Sequence, residues 1–322
     1  MATSLSVCIL GGTGFVGARL AARLLRDGHR VTLLTRNAER HKALRVLPGI
    51  VLEECDVHDP AVLGARFRGH AVVINLVGIL NESGFGGAGF RRAHTELTRR
   101  AVLAARSAGV TRFLQMSSLK ADRGAPSHYL RSKGEAELLI AGEAGALDWT
   151  IFQPSVIFGP GDSFLNRFAA LLAALPLVLP LAKADARFQP VFVDDVVTAF
   201  MHSLHGGTTS RQTYQLGGPQ VYTLREIVAF VAAATGRRRL IIGLPDWVAR
   251  LQGHVMDFVP GRPFSSDNYR SLTIDSVCTQ DGFAALGIRP QPMEGVARQY
   301  LGRFEDNARL SRDRTVAGRD PL

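Results

Sequence analysis

Cysteine is scarce: Cys8, Cys55 and Cys278 are the only three in 322 residues, an odd number without ligand-like spacing. That argues against a disulfide framework and a zinc site, and suits a reducing compartment with ordinary buried thiols. No apolar run reaches the roughly 20 residues needed to cross a bilayer. The longest, FAALLAALPLVLPLA from Phe168 to Ala182, is broken by Pro176 and Pro180 and predicts a buried or interfacial segment. Strand-like sequence starts within a few residues of Met1, which leaves no room for a cleavable leader, so a cytoplasmic location is expected. Low-complexity tracts and internal repeats are absent as well.

What is present is an ordinary globular composition, 46% hydrophobic and 20% charged. A chain of this size can bury roughly 75% of its unfolded surface. The formal charge of +10 comes from a balance rich in arginine and poor in lysine. Such an excess attracts phosphate groups, anionic lipid or acidic partners; a general arginine bias in composition explains it equally. The basic residues are scattered and no nucleic-acid module accompanies them, so nucleic acid is not expected as a partner.

Apolar strand-like runs alternate with helical patterns: SVCIL, RVTLLT, GIVLEECD, AVVINLVG, RFLQMSS, WTIFQPS and, after a gap, TYQLGG. The intervening GARLAARLLRDG, PAVLGARF and FRRAHTELTRRAVLAARSAG repeat apolar residues at three and four positions, with stops at Gly28 and Gly109. This rhythm predicts an α/β fold: a Rossmann-type, doubly wound parallel sheet with a smaller C-terminal lobe. We place the nucleotide-binding domain at 1–155 and a mixed lobe at 156–322. Two stretches within about 188–218, QPVFVDDVVTAFMHSL and TYQLGG, are expected to return to the main sheet.

Gly12, Gly14 and Gly17 fit G-x-G-x-x-G between a predicted strand and a predicted helix, the context in which this motif grips a dinucleotide. Backbone approaches the pyrophosphate where side chains are missing, and free N–H groups at the helix start face the anion. Gly11, Gly12, Thr13, Gly14, Phe15, Val16 and Gly17 are therefore candidate cofactor contacts. At the end of the second strand, where an acid would bond the ribose 2′-hydroxyl, the sequence has Thr35, Arg36, Asn37 and Arg40. A guanidinium suits a 2′-phosphate, so NADP(H) is expected over NAD(H), with NAD(H) still open and a merely solvated basic face the alternative. Asp56, with Val57 beside it, is a candidate for the adenine amino group.

MSSLKADRGAPSHYLRSKGEAELL carries Ser117 and Ser118 at a strand end, then Tyr129 and Lys133 four residues apart, a spacing that puts both on one helix face. Lys133 would bind the nicotinamide ribose and place positive charge near Tyr129, whose pKa is about 10 unperturbed. Reaching neutrality takes about 4 kcal/mol, part of which the lysine and the bound cofactor together would supply. Tyr129 would then exchange a proton with a hydroxyl or carbonyl that Ser118 holds.

Through GGTGFVG, QMSS, YLRSK, FQPSVIFGPGD and PVFVDDVV the chain resembles the extended or atypical short-chain dehydrogenase/reductase superfamily, up to about Gly218. YLRSKGEAE and IFGPGDSFLNRFA look, more narrowly, like the NAD(P)H-binding accessory subunit of respiratory complex I and its bacterial relatives. The resemblance implies a Rossmann domain holding a nicotinamide nucleotide by Gly11, Gly14, Gly17, Lys133, Pro154, Ser155 and Val156, with Leu76, Val77 and Gly78 beside the nicotinamide. Arg36 matches its phosphate-reading position. In the superfamily the residues corresponding to Ser118, Tyr129 and Lys133 are catalytic, whereas the complex I subunit is regarded as holding its nucleotide structurally. Two features depart from the pattern: His94 stands where many relatives have asparagine, and INLVGI replaces the usual small-residue run. His94 is either a proton relay or a packed, hydrogen-bonded side chain.

Arg237, Arg238 and Arg239 precede an apolar stretch with Trp247 and Phe258. That pattern fits either a helix packed on the sheet or one resting on an anionic bilayer, and with it a quinone-related or respiratory-complex association. The glycine-rich NESGFGGAGF, Asn81 to Phe90, is expected to border the nicotinamide, either as a loop ordered by ligand or as a plain surface loop. The small-molecule substrate has no signature in the sequence.

Overall fold

Strands buried on both faces must be apolar at nearly every position, and Val7–Leu10, Val31–Thr35 and Val72–Asn75 are buried throughout. The computed structural model describes residues 4–82, 84–259 and 264–302. Ser83 of the glycine-rich stretch, Pro260 and Gly261 after the apolar stretch, and the last part of the expected C-terminal lobe lie outside the described residues. In chain order the elements are β1 (Ser6–Leu10), α1 (Phe15–Arg26), β2 (Arg30–Thr35), β3 (Ile50–Glu54), α2 (Pro60–Phe67), β4 (Val72–Asn75), α3 (Ala88–Phe90), a π-helical turn (Arg91–Glu96), α4 (Leu97–Ser107), β5 (Arg112–Met116), α5 (His128–Glu143) and β6 (Asp148–Pro154). There follow β7 (Ile157–Phe158), α6 (Leu165–Ala174), β8 (Val178–Leu181), β9 (Arg187–Phe188), β10 (Val191–Phe192), α7 (Val193–His202), β11 (Gln212–Leu216), β12 (Tyr222–Thr223), α8 (Leu224–Ala234), β13 (Leu240–Gly243), α9 (Asp246–Met256), α10 (Ser266–Ser271), α11 (Gly282–Ala285) and α12 (Met293–Leu301).

Seven strands form one sheet in the order β11-β6-β5-β4-β1-β2-β3, every neighbouring pair parallel. The chain reverses direction across the sheet between β1 and β4, which opens a crevice at their carboxyl ends. One sheet face packs on α1 and α7 through Leu20, Leu24, Val196 and Phe200, and Phe152 meets Phe200 with ring centroids 4.3 Å apart. The other face packs on α2, α4 and α5 through Leu63, Phe67, Leu97, Ala101 and Ile140. Gly109, at φ +74°, ends α4 with paired bonds, its own N–H to Arg106 O and that of Val110 to Ala105 O, a left-handed stop that favours glycine.

The stretch 188–218 divides. β11 joins the main sheet beside β6, but β10 does not: it pairs with β7 in a separate two-stranded ladder. The first stretch instead meets the main sheet through α7, whose Val196 and Phe200 pack on its face. A third cluster, around Phe158, Leu165, Leu172, Ile227, Val231 and Tyr300, forms a second core, and Phe15 and Val16 of α1 pack against it. The apolar run from Phe168 splits into the end of α6 and β8, and among the described residues no helix is long and apolar enough to cross a membrane.

Candidate functional site

The glycine loop turns tightly out of β1, with Gly14 N–H donating to Gly11 O at 3.1 Å. Gly11 sits at φ +73°, and a Cβ there would stand 3.0 Å from the backbone of Leu76 and Val77. At Gly17 a Cβ would stand 2.5 Å from Gly11 O, so the helix can approach the loop only with glycine. Gly14 differs: a Cβ there would meet only Gly11 O at 3.4 Å, which leaves its outer side open. It is the N-cap of α1 without a side-chain cap, and the first turn has no acid. Unsatisfied N–H groups and an unopposed helix dipole suit a diphosphate. Thr13 is half-buried beside them, while Phe15 and Val16 face the second core.

Arg36, Asn37 and Arg40 are all exposed beyond β2. Asn37 Oδ1 accepts the Arg40 N–H at 3.1 Å, closing a short turn. Asp56 Oδ1 accepts the His58 N–H at 2.9 Å, and Val57 is buried. The His58 pKa is lowered first by burial, then by the charges of Arg92, Arg100 and Arg36. Arg100 also donates to His58 O at 3.1 Å. Arg92 and Arg100 therefore add to the positive field that Arg36 makes around His58, and sequence reasoning missed both because they come from the π turn and α4, distant in sequence from β2.

At the sheet's carboxyl edge the structure brings Ser118, Tyr129 and Lys133 together. Ser118 Oγ donates to Leu119 O at 3.3 Å, its hydroxyl stands near enough to Tyr129 to favour the phenolate, and buried Lys133 lies one helical turn further along α5. Its Nζ donates to Met116 O at 3.1 Å and Val77 O at 3.5 Å. Burial lowers its pKa to about 8. A Cβ at Gly78 would stand 3.4 Å from this Nζ and 3.7 Å from His94 Nε2. The missing side chain is what keeps the space beside Lys133 clear.

In the protein alone Tyr129 has its pKa raised: burial dominates and the neighbouring Ser118 hydroxyl offsets it only in part. The phenol is thus held protonated.

His94 is the packed alternative. Its Nε2 accepts the Ile79 N–H at 3.0 Å, so Nδ1 carries the proton and faces Ser132 Oγ at 2.8 Å. Burial, with Lys133 nearby, drives its pKa down to about 2. Both ring nitrogens are committed, and the ring stands edge-on to Tyr129 with centroids 5.5 Å apart.

Ser117 and Ser155 face protein. Ser117 Oγ bonds Glu137, whose carboxylate also accepts from Gln153 Nε2 at 2.8 Å. Ser155 Oγ donates to Ser276 O at 2.9 Å. Pro154 O accepts the Leu119 N–H at 2.9 Å and Val156 O that of Val191 at 3.0 Å, so this strip anchors neighbouring segments by its backbone. Leu76 joins the core, and Val77 N–H donates to Asn75 Oδ1 at 3.2 Å. Buried Asn75, which also donates to Gln115 and Thr98, fixes that backbone wall; nothing in the sequence singled it out. In the glycine-rich stretch Glu82 accepts the N–H groups of Gly87 at 2.6 Å and Gly89 at 2.8 Å, an ordering carboxylate inside the chain itself.

Residues 11–161 match a family model described as NAD(P)H-binding. The chain is 30% identical over 315 residues to NADH dehydrogenase (ubiquinone) 1 alpha subcomplex subunit 9, mitochondrial, of Mus musculus, covering 94% of this chain and 81% of that protein. It is 32% identical over 244 residues to the ceramide reductase of Caulobacter vibrioides, covering 74% of each. The fold is shared with dTDP-glucose 4,6-dehydratase DesIV of Streptomyces venezuelae, solved with NAD bound, at TM-score 0.74 and 19% identity over 95% of this chain and 98% of that one. It is shared also with the UDP-glucose 4-epimerase of Thermotoga maritima, at TM-score 0.73 and 17% identity over 94% and 100%.

Proposed function

Because the chain belongs to the NAD(P)H-binding family that includes subunit 9 of the ubiquinone-linked NADH dehydrogenase, we propose that it is an NADP(H)-dependent oxidoreductase of the short-chain dehydrogenase/reductase type. The observation that carries this reading is the convergence of Ser118, Tyr129 and Lys133 at the sheet's carboxyl edge, with Lys133 one turn beyond Tyr129 on α5. The nicotinamide nucleotide, when bound, supplies or accepts the hydride. Gly14 and the start of α1 hold its diphosphate, Arg36 its 2′-phosphate, and Lys133 its nicotinamide ribose. Ser118 positions the substrate oxygen. Tyr129, kept protonated by burial, donates its phenolic proton to that oxygen as a carbonyl becomes an alcohol. The relative named a ceramide reductase supports reduction as the direction. The substrate is a carbonyl or alcohol, a quinone-related one included.

One observation favours a second reading. Lys133 is buried and donates to the main-chain carbonyls of Met116 and Val77, which fits a protein that holds its nucleotide as part of its fold. Such a protein would serve a respiratory or quinone-related membrane assembly, as the names of several relatives suggest, at the inner face of the membrane. NADPH oxidation against a panel of carbonyls separates the two. Turnover that Tyr129→Phe abolishes supports the enzyme; a variant as fast as wild type overturns the catalytic assignment. Co-purified nucleotide that does not exchange, without turnover on the panel, supports the accessory role.

A further inference from the structure

Helix α9 is amphipathic in the inverted sense for a helix at a protein surface. Its small residues face inward: Ala249 and Gly253 are buried, and a Cβ at Gly253 would stand 3.2 Å from Ser266 Cα on α10. Its large apolar residues face outward at spacings of four, four and three. Trp247 is 71% exposed, Leu251 54%, Val255 55% and Phe258, just past the helix, 79%. A helix that only completed a soluble lobe would turn this stripe inward, and contiguous exposed apolar surface of this kind marks an interaction site.

Charge identifies the occupant. Arg250 and His254 lie exposed among the apolar side chains, and Arg238 is exposed just before β13. Of the acids on this segment, Asp257 is buried and bonded to the Ser266 N–H, and Asp246 is shared by Lys183, the Tyr269 hydroxyl and, at 3.9 Å, Arg250. The exposed stripe is therefore apolar with a basic collar, on a chain of formal charge +10. A tryptophan at one end and arginines alongside are the composition of a helix lying in the headgroup region of an anionic bilayer.

We propose that the Trp247–Phe258 face of α9 docks this protein peripherally on an anionic lipid bilayer. The face is also joined to the candidate site. Phe258 meets Phe85 with centroids 5.5 Å apart, in the loop that leads to Phe90, whose ring lies 6.0 Å from that of Tyr129. On its buried side, α9 is fixed to α10, and Asp267 of α10 accepts the first N–H groups of α5. Docking thus sets the Phe85 loop, which leads to Phe90 beside Tyr129, against lipid. It does not depend on whether the bound nucleotide is turned over.

Flotation of the full chain with vesicles tests this, comparing phosphatidylcholine alone with phosphatidylcholine mixed with phosphatidylglycerol. Wild type is expected to float with the mixed vesicles, with a blue shift in Trp247 emission. A combined Trp247→Ser, Leu251→Ser, Phe258→Ser variant, altered only at exposed positions, should keep its melting temperature and lose partitioning on the order of a hundred-fold. Arg238→Ser with Arg250→Ser should weaken binding and flatten its salt dependence. Wild type that floats with neither vesicle, or a triple variant that floats undiminished, overturns the proposal. So does a concentration-dependent doubling of mass abolished by the triple variant, which would give the face to a second copy of the chain. No substrate enters the assay, so a failed carbonyl screen leaves its outcome readable.

Discussion

Asp267 and Tyr129, 138 residues apart, meet in one hydrogen bond: the Tyr129 backbone N–H donates to Asp267 Oδ2 at 3.1 Å. The other carboxylate oxygen accepts the His128 N–H at 2.6 Å. A buried carboxylate from the C-terminal part of the chain thereby completes the start of the helix that bears Tyr129 and Lys133, where negative charge also complements the helix dipole. Asp267→Ala should cost roughly 1–2 kcal/mol in urea denaturation. It should lower kcat more than it raises KM for nucleotide, because Tyr129 lies in the loosened turn. Wild-type stability in this variant would remove the carboxylate from the account.

Lys133 gives a pH signature. Its folded pKa of about 8 lies below the ordinary 10.5, so between these values the unfolded chain binds more protons. Stability therefore rises with pH across that window, and at pH 7 the buried charge costs roughly 3 kcal/mol. Lys133→Met should be more stable than wild type at neutral pH and lack the alkaline rise. Parallel stability curves for the two proteins from neutral to alkaline pH would contradict the burial argument.

His94 acts at the acid end. The fold keeps the ring neutral down to about pH 2, whereas the unfolded chain protonates it near 6.5. As pH falls below 6.5 the unfolded state is favoured by about 1.4 kcal/mol per pH unit. His94→Gln, whose amide oxygen can still accept the Ile79 N–H, should lack this component of acid denaturation. Nitrogen NMR should find the Nδ1–H tautomer of His94 unchanged down to pH 5; a titrating ring there would restore the relay reading.

Arg36→Asp should weaken NADPH binding far more than NADH binding in calorimetry, since a carboxylate repels a 2′-phosphate and accepts from a 2′-hydroxyl. Arg92→Ser should weaken NADPH in the same direction by a smaller factor, as a more distant charge. Equal losses for both nucleotides in Arg36→Asp would sink the phosphate assignment.

The central strands of the main sheet were readable because each is a short apolar run bounded by a turn or a helix stop, and burial on both faces demands that composition, while the edge strands β3 and β11 mix polar residues with apolar ones. Gly11 to Gly17 were readable because their spacing encodes contact within one loop. The π turn was not: RRAHTE reads as ordinary helix, and the bonds from His94 to Ile79 and Ser132 accompany the wider turn. Asp267, Asn75 and Glu82 carry no local pattern, because their partners are backbone N–H groups or buried amides brought near by the fold. The spacing of Tyr129 and Lys133 put both on α5, but the burial that raises the pKa of the phenol in the protein alone is invisible to a motif.

The edge position of β11 bears on how the chain reaches its native state. Residues 212–216 lie beside β6, and the Arg211 N–H donates to Trp149 O at 2.7 Å. A ribosome that has released only the segment matching the nucleotide-binding family, which ends at residue 161, has therefore produced a sheet with β6 as a bare edge, a template for pairing with the wrong chain. Excised for crystallisation or for fusion to another protein, that segment should aggregate, whereas the longer chain pairs β11 with β6 and lays residues 279–282 along β11.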